Sequence, residues 1–430
     1  AAAGVDAGCI AFHSTVLVGQ RNRLRASGRP KRFLEDTRVV AREAGVLRDR
    51  VRVLDSTPIY DAVSTQDTVT QLRSAIRKLL RVLEGTVLAG RVRAVLVRDD
   101  DYASAGKPPC DWDDPEAREM LVDGLVRDAL AALGVIDGEM LVGAAREVAE
   151  LLAVVAGQDV EAGDDGVFRI VHKVARDRVI STVDPQARHG HKSRNRRFDG
   201  YKAHLSVDPD SELIDDIVVT PANVHDADAV DDLLAGHVDD PDKPTIMGDA
   251  AYAGADTLDD LTEAGYDVNT KVPPARGRDG RFGKDDFDID LDAGTVACPA
   301  DRVVTIRRNT DGSGRADFVE HCAECPLRDR CTTSRSGRSI SIHPKEHVLQ
   351  RAKTAQTDPD RRHAYRSTRP KVERKIAHFV RVAWGGRRAR TRGQQRVTTD
   401  AVTRAAAVNW TRLATLGITV TDGHWTAATS

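Results

Sequence analysis

The sequence predicts an α/β protein in which a mixed β-sheet is flanked by helices and carries two insertions. Apolar residues recur with a helical period of about 3.6 over residues 68–173, and they alternate with polar residues, as strands do, over residues 177–220. Helices and strands then alternate as far as residue 272. Residues 273–342 interrupt this order with Gly, Pro, Asp and four cysteines, which indicates an insertion rich in loops.

The chain begins with a helical region and one strand. Residues 12–46 have a helical apolar pattern that ends at Gly45, and residues 50–59, "RVRVLDSTPI", have the β-branched composition of a strand. The elements predicted after them are helices over 68–173; strands over 177–184, 200–208 and 212–220; a helix over 226–236; a strand that ends at Asp249; a helix over 255–265; a strand over 266–272; a polar helix over 345–383; and a final helix over 397–417.

The order of these elements favours a ribonuclease H-like fold. Three antiparallel strands come first, a helix follows, and a strand–helix–strand unit completes the series. The predicted architecture is therefore a ribonuclease H-like mixed sheet with a helical insertion and a cysteine-rich insertion.

The composition is that of a soluble globular protein. Of the 430 residues, 40% are hydrophobic and 30% are charged, and no run approaches the roughly 20 consecutive apolar residues of a membrane span. The first residues lack the basic and apolar segments of a secretory signal. The sequence therefore predicts a cytoplasmic location and no membrane partner.

Positive charge is concentrated in the C-terminal part of the chain. Residues 331–430 contain 20 Lys and Arg but only 6 Asp and Glu, although the net charge of the chain is only −2. Two basic runs, "RRHAYRSTRPKVERK" and "GGRRARTRGQQR", lie close together there. One such run can be a solvated helical face, but two within about 35 residues favour a nucleic-acid partner.

Three acidic residues stand at positions that suit a divalent-metal site. Asp249 ends an apolar strand, Asp55 interrupts the strand "VLDSTPI", and Glu373 lies on a helix, four residues after Arg369. Three converging carboxylates repel one another unless a cation neutralises them, and carboxylate oxygens are ligands that Mg²⁺ prefers. Each acid alone is more often structural, so the prediction depends on the three together.

Asp184 is an alternative for the first of the three acids. It ends the predicted strand 177–184, directly before the other antiparallel strands. Asp55 requires instead a helical insertion of roughly 110 residues between neighbouring strands. If it is not a ligand, Asp184 is expected to cap the turn "DPQAR".

Four cysteines predict a structural zinc site. Cys298, Cys322, Cys325 and Cys331 have the spacing C-x23-C-x2-C-x5-C, and such a set in a cytosolic chain is typical of tetrahedral Zn²⁺. The ion would stabilise a segment that has few apolar residues. Buried, reduced thiols are the alternative interpretation.

Several segments in order resemble one protein family. "LDSTPIYDAV", "GDAAY" and "YRSTRPKVERKIAHFVR" resemble the D-S-T, G-D-x-x-Y and Y-R-E-K blocks of DDE transposases from bacterial insertion sequences. The segments between and after these blocks are also similar: "STVDPQARHGHKSRNRRFDGYKAHLSVD", "VTPANVHDADAV" and "RRARTRGQQRVTTDAV". The helical block departs from the family pattern by one position at each end: Tyr365 is four residues before Arg369, and Arg381 is eight residues after Glu373.

The resemblance implies a transposase that cuts and transfers DNA strands with Mg²⁺ or Mn²⁺. It implies Asp55, Asp249 and Glu373 as the ligands, and its D-S-T block favours Asp55 over Asp184. It also implies a homodimer assembled on element ends and target DNA, nucleoid association, and an N-terminal helical region that starts upstream of Ala1. The residues expected to contact DNA are Lys192, Arg369, Arg381, Arg387, Arg388 and Arg390.

Six regions and two rival functions complete the interpretation. A ribonuclease H-like nuclease or resolvase would share the acids but not strand transfer, and a zinc-containing DNA-binding protein would lack catalysis altogether. The predicted regions are a partial helical DNA-binding region (1–48), the first catalytic strand (49–66), the helical insertion (67–175), the ribonuclease H-like core (176–272), the cysteine-rich insertion (273–343), and C-terminal helices with the catalytic Glu and the basic region (344–430).

Overall fold

The computed structural model of the protein describes residues 14–48, 50–171, 175–193 and 195–427. The first 13 residues of the predicted N-terminal region lie outside this part of the chain, as do positions 49, 172–174, 194 and 428–430. The elements that open it are α1 (Ser14–Ala26), α2 (Arg32–Glu43) and β1 (Val51–Tyr60).

The helical insertion follows β1 and has a hydrophobic core of its own. Its four helices bury leucine, valine, isoleucine and alanine against one another, in a cluster separate from that of the main sheet. The sequence predicts only helices here, but a short hairpin follows the fourth helix. The elements are α3 (Thr68–Val82), α4 (Val87–Val95), α5 (Pro115–Ile136), α6 (Ala144–Gln158), β2 (Val160–Ala162) and β3 (Phe168–Ile170).

The main sheet is assembled from β1 and from strands after the insertion. Its order is β4-β5-β1-β7-β8, and β6 also pairs with β5. The pairs β1–β7 and β7–β8 are parallel and the others are antiparallel. The mixed sheet confirms the predicted α/β class. Its further elements are β4 (Arg188–Ser193), β5 (Arg196–Asp208), β6 (Leu213–Pro221), α7 (Val230–Leu234), β7 (Thr245–Gly248), α8 (Ala255–Glu263) and β8 (Val268–Thr270).

The cysteine-rich insertion consists of two small three-stranded sheets and two single-turn helices. Phe287, Phe318 and Ile340 are buried together with Cys322 and Cys331 in its small core. The elements are β9 (Asp288–Asp290), β10 (Thr295–Ala297), β11 (Val303–Thr305), β12 (Arg307–Arg308), β13 (Gly314–Asp317), α9 (Val319–Cys322), α10 (Arg328–Cys331) and β14 (Ser339–Ile342).

The C-terminal region contains two helices where the sequence predicts one over 345–383. The break has a local cause: Asp358 accepts hydrogen bonds from the N–H groups of Asp360 and Arg361, and Pro359 occupies the first helical position. A final hairpin was also not predicted. The elements are α11 (Glu346–Ala355), α12 (Pro359–Phe379), α13 (Gln394–Thr415), β15 (Ile418–Thr421) and β16 (His424–Ala427).

Apolar side chains of β1 pack on both faces of the sheet. Val53 and Ile59 belong to the cluster formed with β5, β6, α12 and α13, whereas Leu54 belongs to the cluster formed with α7, Tyr252 and α8. Successive side chains of a strand point to opposite faces, so the apolar residues of β1 can pack into the clusters on both sides of the sheet. Within the described residues, no helix is long and apolar enough to cross a membrane.

Residues 177–184 do not form the predicted strand. This segment is extended or turned and is held by side chains in and just before α3 rather than by a sheet. Gln71 Nε2 donates to the Val179 carbonyl (2.9 Å), and Gln66 Oε1 accepts from the Thr182 N–H (2.7 Å). These groups satisfy the polar backbone that a neighbouring strand would otherwise pair with. The prediction was wrong because apolar alternation does not reveal such side-chain partners.

A buried group of charges fixes the start of β1. Arg52 makes ion pairs with Asp208 (Nη1–Oδ2, 3.1 Å) and Asp215 (Nε–Oδ2, 3.2 Å). Asp215 also contacts Arg38 of α2 at 3.1 Å and His237 Nε2 at 2.8 Å. Burial alone would raise the pKa of Asp215, but His237 and the two arginines lower it below its usual range. Removing Arg52 would take a buried ion-pair partner from both Asp208 and Asp215, so this group joins α2, β1, β5 and β6.

Replacing His237 with Gln tests this buried group. Burial lowers the pKa of His237, but hydrogen bonds to Asp215 and Asp240 outweigh burial and raise it. A raised pKa in the folded state stabilises the protein fully below the unfolded value of about 6.5 and loses that contribution as the pH rises through the folded value. The free energy of unfolding should therefore fall more in His237→Gln near pH 6 than near pH 9.

Urea denaturation of the wild type and the variant at both pH values measures this difference. His424→Gln is the control, because that side chain is 78% exposed. An equal loss of stability at the two pH values would contradict the proposed charge on His237.

Candidate active site

Two neighbouring strands bring the first two predicted acids together. β1 and β7 are parallel, with Val53 opposite Met247. Two residues further along the same register, Asp55 and Asp249 face each other just beyond the last paired positions. The register is fixed because the flanking residues are buried, and a slip by one residue would turn every side chain to the other face.

Gly248 and Tyr252 shape the chain around Asp249. The Tyr252 ring packs on Gly248, where an added Cβ would lie 2.9 Å from the ring atom Cδ2. Asp249 Oδ1 accepts a hydrogen bond from the Ala251 N–H at 2.9 Å and so caps the short 3₁₀ turn. In the "GDAAY" segment, Asp249 Oδ1 is therefore bonded to the local backbone, whereas Oδ2 faces Arg369 of α12.

α12 carries the third acid on the side of the helix that faces these strand ends. Its buried face, with Val372, Ile376 and Phe379, packs into the main core. Arg369 and Glu373 are one helical turn apart, so they share a face. The Glu373 side chain is 65% exposed, whereas that of Arg369 is only 17% exposed.

A single guanidinium contacts all three acids. Arg369 Nη2 lies 3.1 Å from Asp55 Oδ2 and 4.0 Å from Asp249 Oδ2, and Arg369 Nε lies 4.0 Å from Glu373 Oε1. The two aspartate oxygens share one nitrogen as neighbour, so they can be no more than 7.1 Å apart. Residues that are far apart in the sequence therefore meet at one point, on β1, at the end of β7 and on α12.

Asp55 is the most enclosed of the three acids. Its side chain is 14% exposed, and its Oδ1 accepts a hydrogen bond from the Ser56 N–H at 2.8 Å. Burial raises the pKa of Asp55, against the opposing influence of Arg369, the Ser56 amide and Lys192. Positive charge at this point therefore stabilises the ionised form of Asp55.

Two tyrosines lie close to the acids. Burial raises the pKa of Tyr365, and the carboxylates of Asp249 and Asp55 add to the effect. Burial and neighbouring acids likewise raise the pKa of Tyr252 well above its usual value, and its hydroxyl is buried without a hydrogen-bond partner in the described part of the chain. Tyr365 is thus near the site despite its shifted spacing in the sequence.

A cavity of about 260 Å³ opens beside Asp55 and Asp249 and contains a group that the sequence analysis did not single out. Asp226 accepts hydrogen bonds from Ser56 Oγ (2.7 Å) and from Lys202 Nζ. Burial alone would raise the pKa of Asp226, but these two hydrogen bonds lower it. The only signal for Asp226 in the sequence was its position in the segment "VTPANVHDADAV".

Asp184 lies elsewhere and has structural partners. It is 1% exposed, and its carboxylate accepts hydrogen bonds from the Tyr201 hydroxyl (2.6 Å) and from the Gly393 N–H (3.1 Å). Tyr201 pairs with Ile59, four residues beyond Asp55 on β1, which is roughly 13 Å along a strand. The geometry therefore favours Asp55 over Asp184 as the partner of Asp249.

The second basic run lies against the end of β1. The Tyr60 N–H donates to the Arg387 carbonyl at 2.7 Å, and the Arg387 side chain donates to Thr57 Oγ1. Arg388 is exposed beside Tyr60, whereas the Arg390 guanidinium pairs with Asp400. The three arginines of this run that were predicted to contact DNA thus differ in whether a carboxylate already balances their charge: Arg390 has such a partner in Asp400.

Lys192 and Arg381 are the two remaining residues that were predicted to contact DNA. Lys192 is an exposed residue of β4 that lines the cavity beside Asp55 and acts on the charge of Asp55. Arg381 is exposed just after α12, two helical turns beyond Glu373.

The four cysteines of the predicted zinc site line one cavity of about 20 Å³. Burial raises the pKa of the Cys331 thiol, and the other three cysteines add to this effect against Arg338. Among the described residues, however, no group of three or more His, Cys, Asp or Glu side chains is arranged to hold a metal ion. This applies to the thiols and to the three acids, whose common neighbour is Arg369.

Comparison with known proteins gives one family. A family model described as a transposase DDE domain matches residues 157–410, more than half of the chain. The matched segment contains β4 to β8, the cysteine-rich insertion, α12 and most of α13, but it does not include β1 with Asp55. No solved structure matches the chain.

Asparagine substitutions should separate the two candidate first acids by stability. Asp184→Asn replaces one of two buried acceptor oxygens by an NH₂ group, which cannot accept a hydrogen bond, so a loss of about 1–3 kcal/mol is expected. Asp55→Asn relieves the repulsion from Asp249 but also weakens the contact with Arg369, and because these two changes oppose each other the net effect should stay below about 1 kcal/mol. Urea denaturation followed by circular dichroism measures both. A loss in Asp55→Asn as large as that in Asp184→Asn would contradict the distinction.

Proposed function

The chain belongs to the family of transposases with a DDE domain, and we propose that it cuts the 3′ ends of an insertion element and joins them to target DNA. The observation that carries this proposal is the convergence of Asp55, Asp249 and Glu373 on one guanidinium. Cleavage and joining are both phosphodiester transfers, in which a water or a 3′-hydroxyl attacks phosphorus. Such transfers depend on positioning and on charge stabilisation more than on covalent chemistry of the protein.

The donor set of the three acids fits Mg²⁺ or Mn²⁺. Their oxygens are hard ligands; Asp55 stands on β1 and Asp249 directly follows β7 of the main sheet. Three carboxylates need more positive charge than Arg369 alone supplies. Divalent ions held by Asp55, Asp249 and Glu373 would activate the attacking oxygen and stabilise the leaving oxygen.

Two basic side chains are well situated to orient the DNA strand at the acids. Lys192 lines the cavity beside Asp55, and Arg387 lies on Thr57, about 7 Å further along β1. Charge-assisted hydrogen bonds from these residues would hold phosphates on either side of the reacting one. The sequence of the DNA would not be read by such contacts.

The remaining basic residues extend this surface. We assign Arg381 and Arg388 to phosphate contacts because both are exposed. Arg390 should contribute less, since Asp400 already balances its charge. We also propose that two copies assemble on the DNA, which follows from the resemblance and from the need to handle two element ends.

The arrangement of the core supports a ribonuclease H-like interpretation. β6, β5 and β1 form an antiparallel series, and β7 and β8 continue it in parallel on the other side of β1. In this interpretation the helical insertion joins the first strand to the next one of the core. Its separate apolar cluster supports treating it as a distinct region.

We propose zinc for the cysteine-rich insertion. The support is the common cavity of Cys298, Cys322, Cys325 and Cys331 and the raised pKa of the Cys331 thiol. Neighbouring thiols raise each other's pKa in the absence of positive charge, and a zinc ion would reverse this by favouring thiolates.

Asp249→Asn tests the proposed reaction. Losing one of three ligands should slow Mg²⁺-dependent strand cleavage by at least about a hundredfold, while DNA binding and thermal stability stay close to those of the wild type. The substrate is a supercoiled plasmid that carries the gene with its native flanking DNA, and nicked products are counted on a gel. Asp242→Asn, at an exposed loop position, is the matched control. Cleavage by Asp249→Asn at the rate of this control would refute the assignment.

Metal analysis tests the zinc proposal. Protein purified under reducing conditions should contain about one zinc per chain, and Cys325→Ser should lose most of it. Cys110→Ser is the control, because Cys110 lies in the helical insertion, apart from the four cysteines. A reduced wild type with far less than one zinc per chain would favour plain buried thiols.

A further inference from the structure

The position of Arg369 among the acids bears on how the site takes up metal. Its guanidinium is within 4.0 Å of Asp55, Asp249 and Glu373, and the side chain is only 17% exposed. The Asp55 side chain is only 14% exposed, so its charge and that of Arg369 interact more strongly than a fully solvated pair would. A divalent cation that binds the same carboxylate oxygens would therefore be repelled by the guanidinium unless the guanidinium moves.

The guanidinium is held by charge more than by hydrogen bonds. Of its contacts with the acids, only the one to Asp55 is as short as a hydrogen bond. Arg369 Nη1 is buried and makes no hydrogen bond within the described residues. An arginine side chain carries five N–H donors in a planar fork that fits a phosphate well. The N–H groups of Arg369 Nη1 are therefore available to donate hydrogen bonds to a DNA phosphate if the side chain moves.

We propose that Arg369 is a resident counter-ion: it balances the three acids until DNA arrives, and a divalent cation has to displace it. The inference rests on the proposed function, because it takes the three acids as the metal ligands. When DNA binds, a phosphate becomes the partner of the guanidinium and the carboxylate oxygens become free for the cation. Metal and DNA then strengthen each other's binding through this one side chain.

This coupling has a use for an enzyme that cuts DNA. The protein without DNA would bind a divalent metal weakly, because the Arg369 guanidinium already neutralises part of the charge of the three acids. The protein on DNA would bind metal more tightly, since the phosphate shifts the population of Arg369 away from the acids. Metal loading would thus follow the binding of DNA.

Mn²⁺ binding, read from the electron paramagnetic resonance signal of the free ion, tests the inference without any cleavage assay. Without DNA, Arg369→Gln should bind Mn²⁺ roughly tenfold more tightly than the wild type, as expected for the loss of a partly buried competing charge. Arg374→Gln is the matched control, because Arg374 lies on the same helix and pairs with Glu212 instead. Its Mn²⁺ affinity should remain that of the wild type.

The second arm repeats the titration with a blunt duplex of arbitrary sequence. The duplex should tighten Mn²⁺ binding in the wild type and in Arg374→Gln, and much less in Arg369→Gln. The inference is overturned if DNA-free Arg369→Gln binds Mn²⁺ no more tightly than the wild type. If Arg369→Gln does not fold, the wild type still tests the inference: an Mn²⁺ affinity that is the same with and without the duplex would overturn it.

Asp249→Asn separates this inference from the function on which it rests. If Asp249→Asn leaves Mn²⁺ binding unchanged, the acids are not the ligands and the proposed metal site itself fails. If Asp249→Asn weakens Mn²⁺ binding but Arg369→Gln does not tighten it, the metal site stands and only the role of Arg369 is rejected.

Discussion

The structure depends on strand β1, which is paired along both edges and packed on both faces. β5 pairs along one of its edges and β7 along the other, and its side chains belong to the apolar clusters on both faces. Arg52 fixes its start through the buried ion pairs. A carboxylate in such a strand is tolerable only where its polar end finds an opening. That opening lies just past the pairing with β7, where Asp55 meets Asp249 and α12.

Much of the site could be predicted because its residues break local rules. Asp55 interrupts an apolar strand, and Asp249 ends another, so each stood out against a regular pattern. Parallel neighbours end at the same edge of a sheet, which makes their meeting predictable once both are strands. Glu373 stood out less among the many charges of α12; its spacing to Arg369 made it a candidate, and the resemblance of the whole block to a known family supported the choice.

The rest depended on partners that lie far away in the sequence. Gln66 and Gln71 hold the segment 177–184 through side-chain hydrogen bonds, and no local pattern shows that this segment is not a strand. Asp226 and Ser56 are 170 positions apart and meet only in the folded structure. The spacing of Arg369 to Glu373 did not reveal that Arg369 also contacts Asp55 and Asp249. Such contacts depend on tertiary structure. The helix break at Asp358 has instead a local signal, the Asp-Pro pair, which the continuous helical pattern of residues 345–383 made easy to overlook.

The insertion after β1 imposes a delay on the newly synthesised chain. Tyr60 pairs with Gly200, and Asp55 is 318 positions before Glu373. At a translation rate of about 5–20 residues per second, β1 leaves the ribosome roughly 7–30 s before β5 can pair with it. During that interval the helical insertion can bury its own apolar residues, but β1 has two open edges and two apolar faces. A strand that is paired along both edges in the finished molecule is therefore exposed to wrong pairing while the chain is being made.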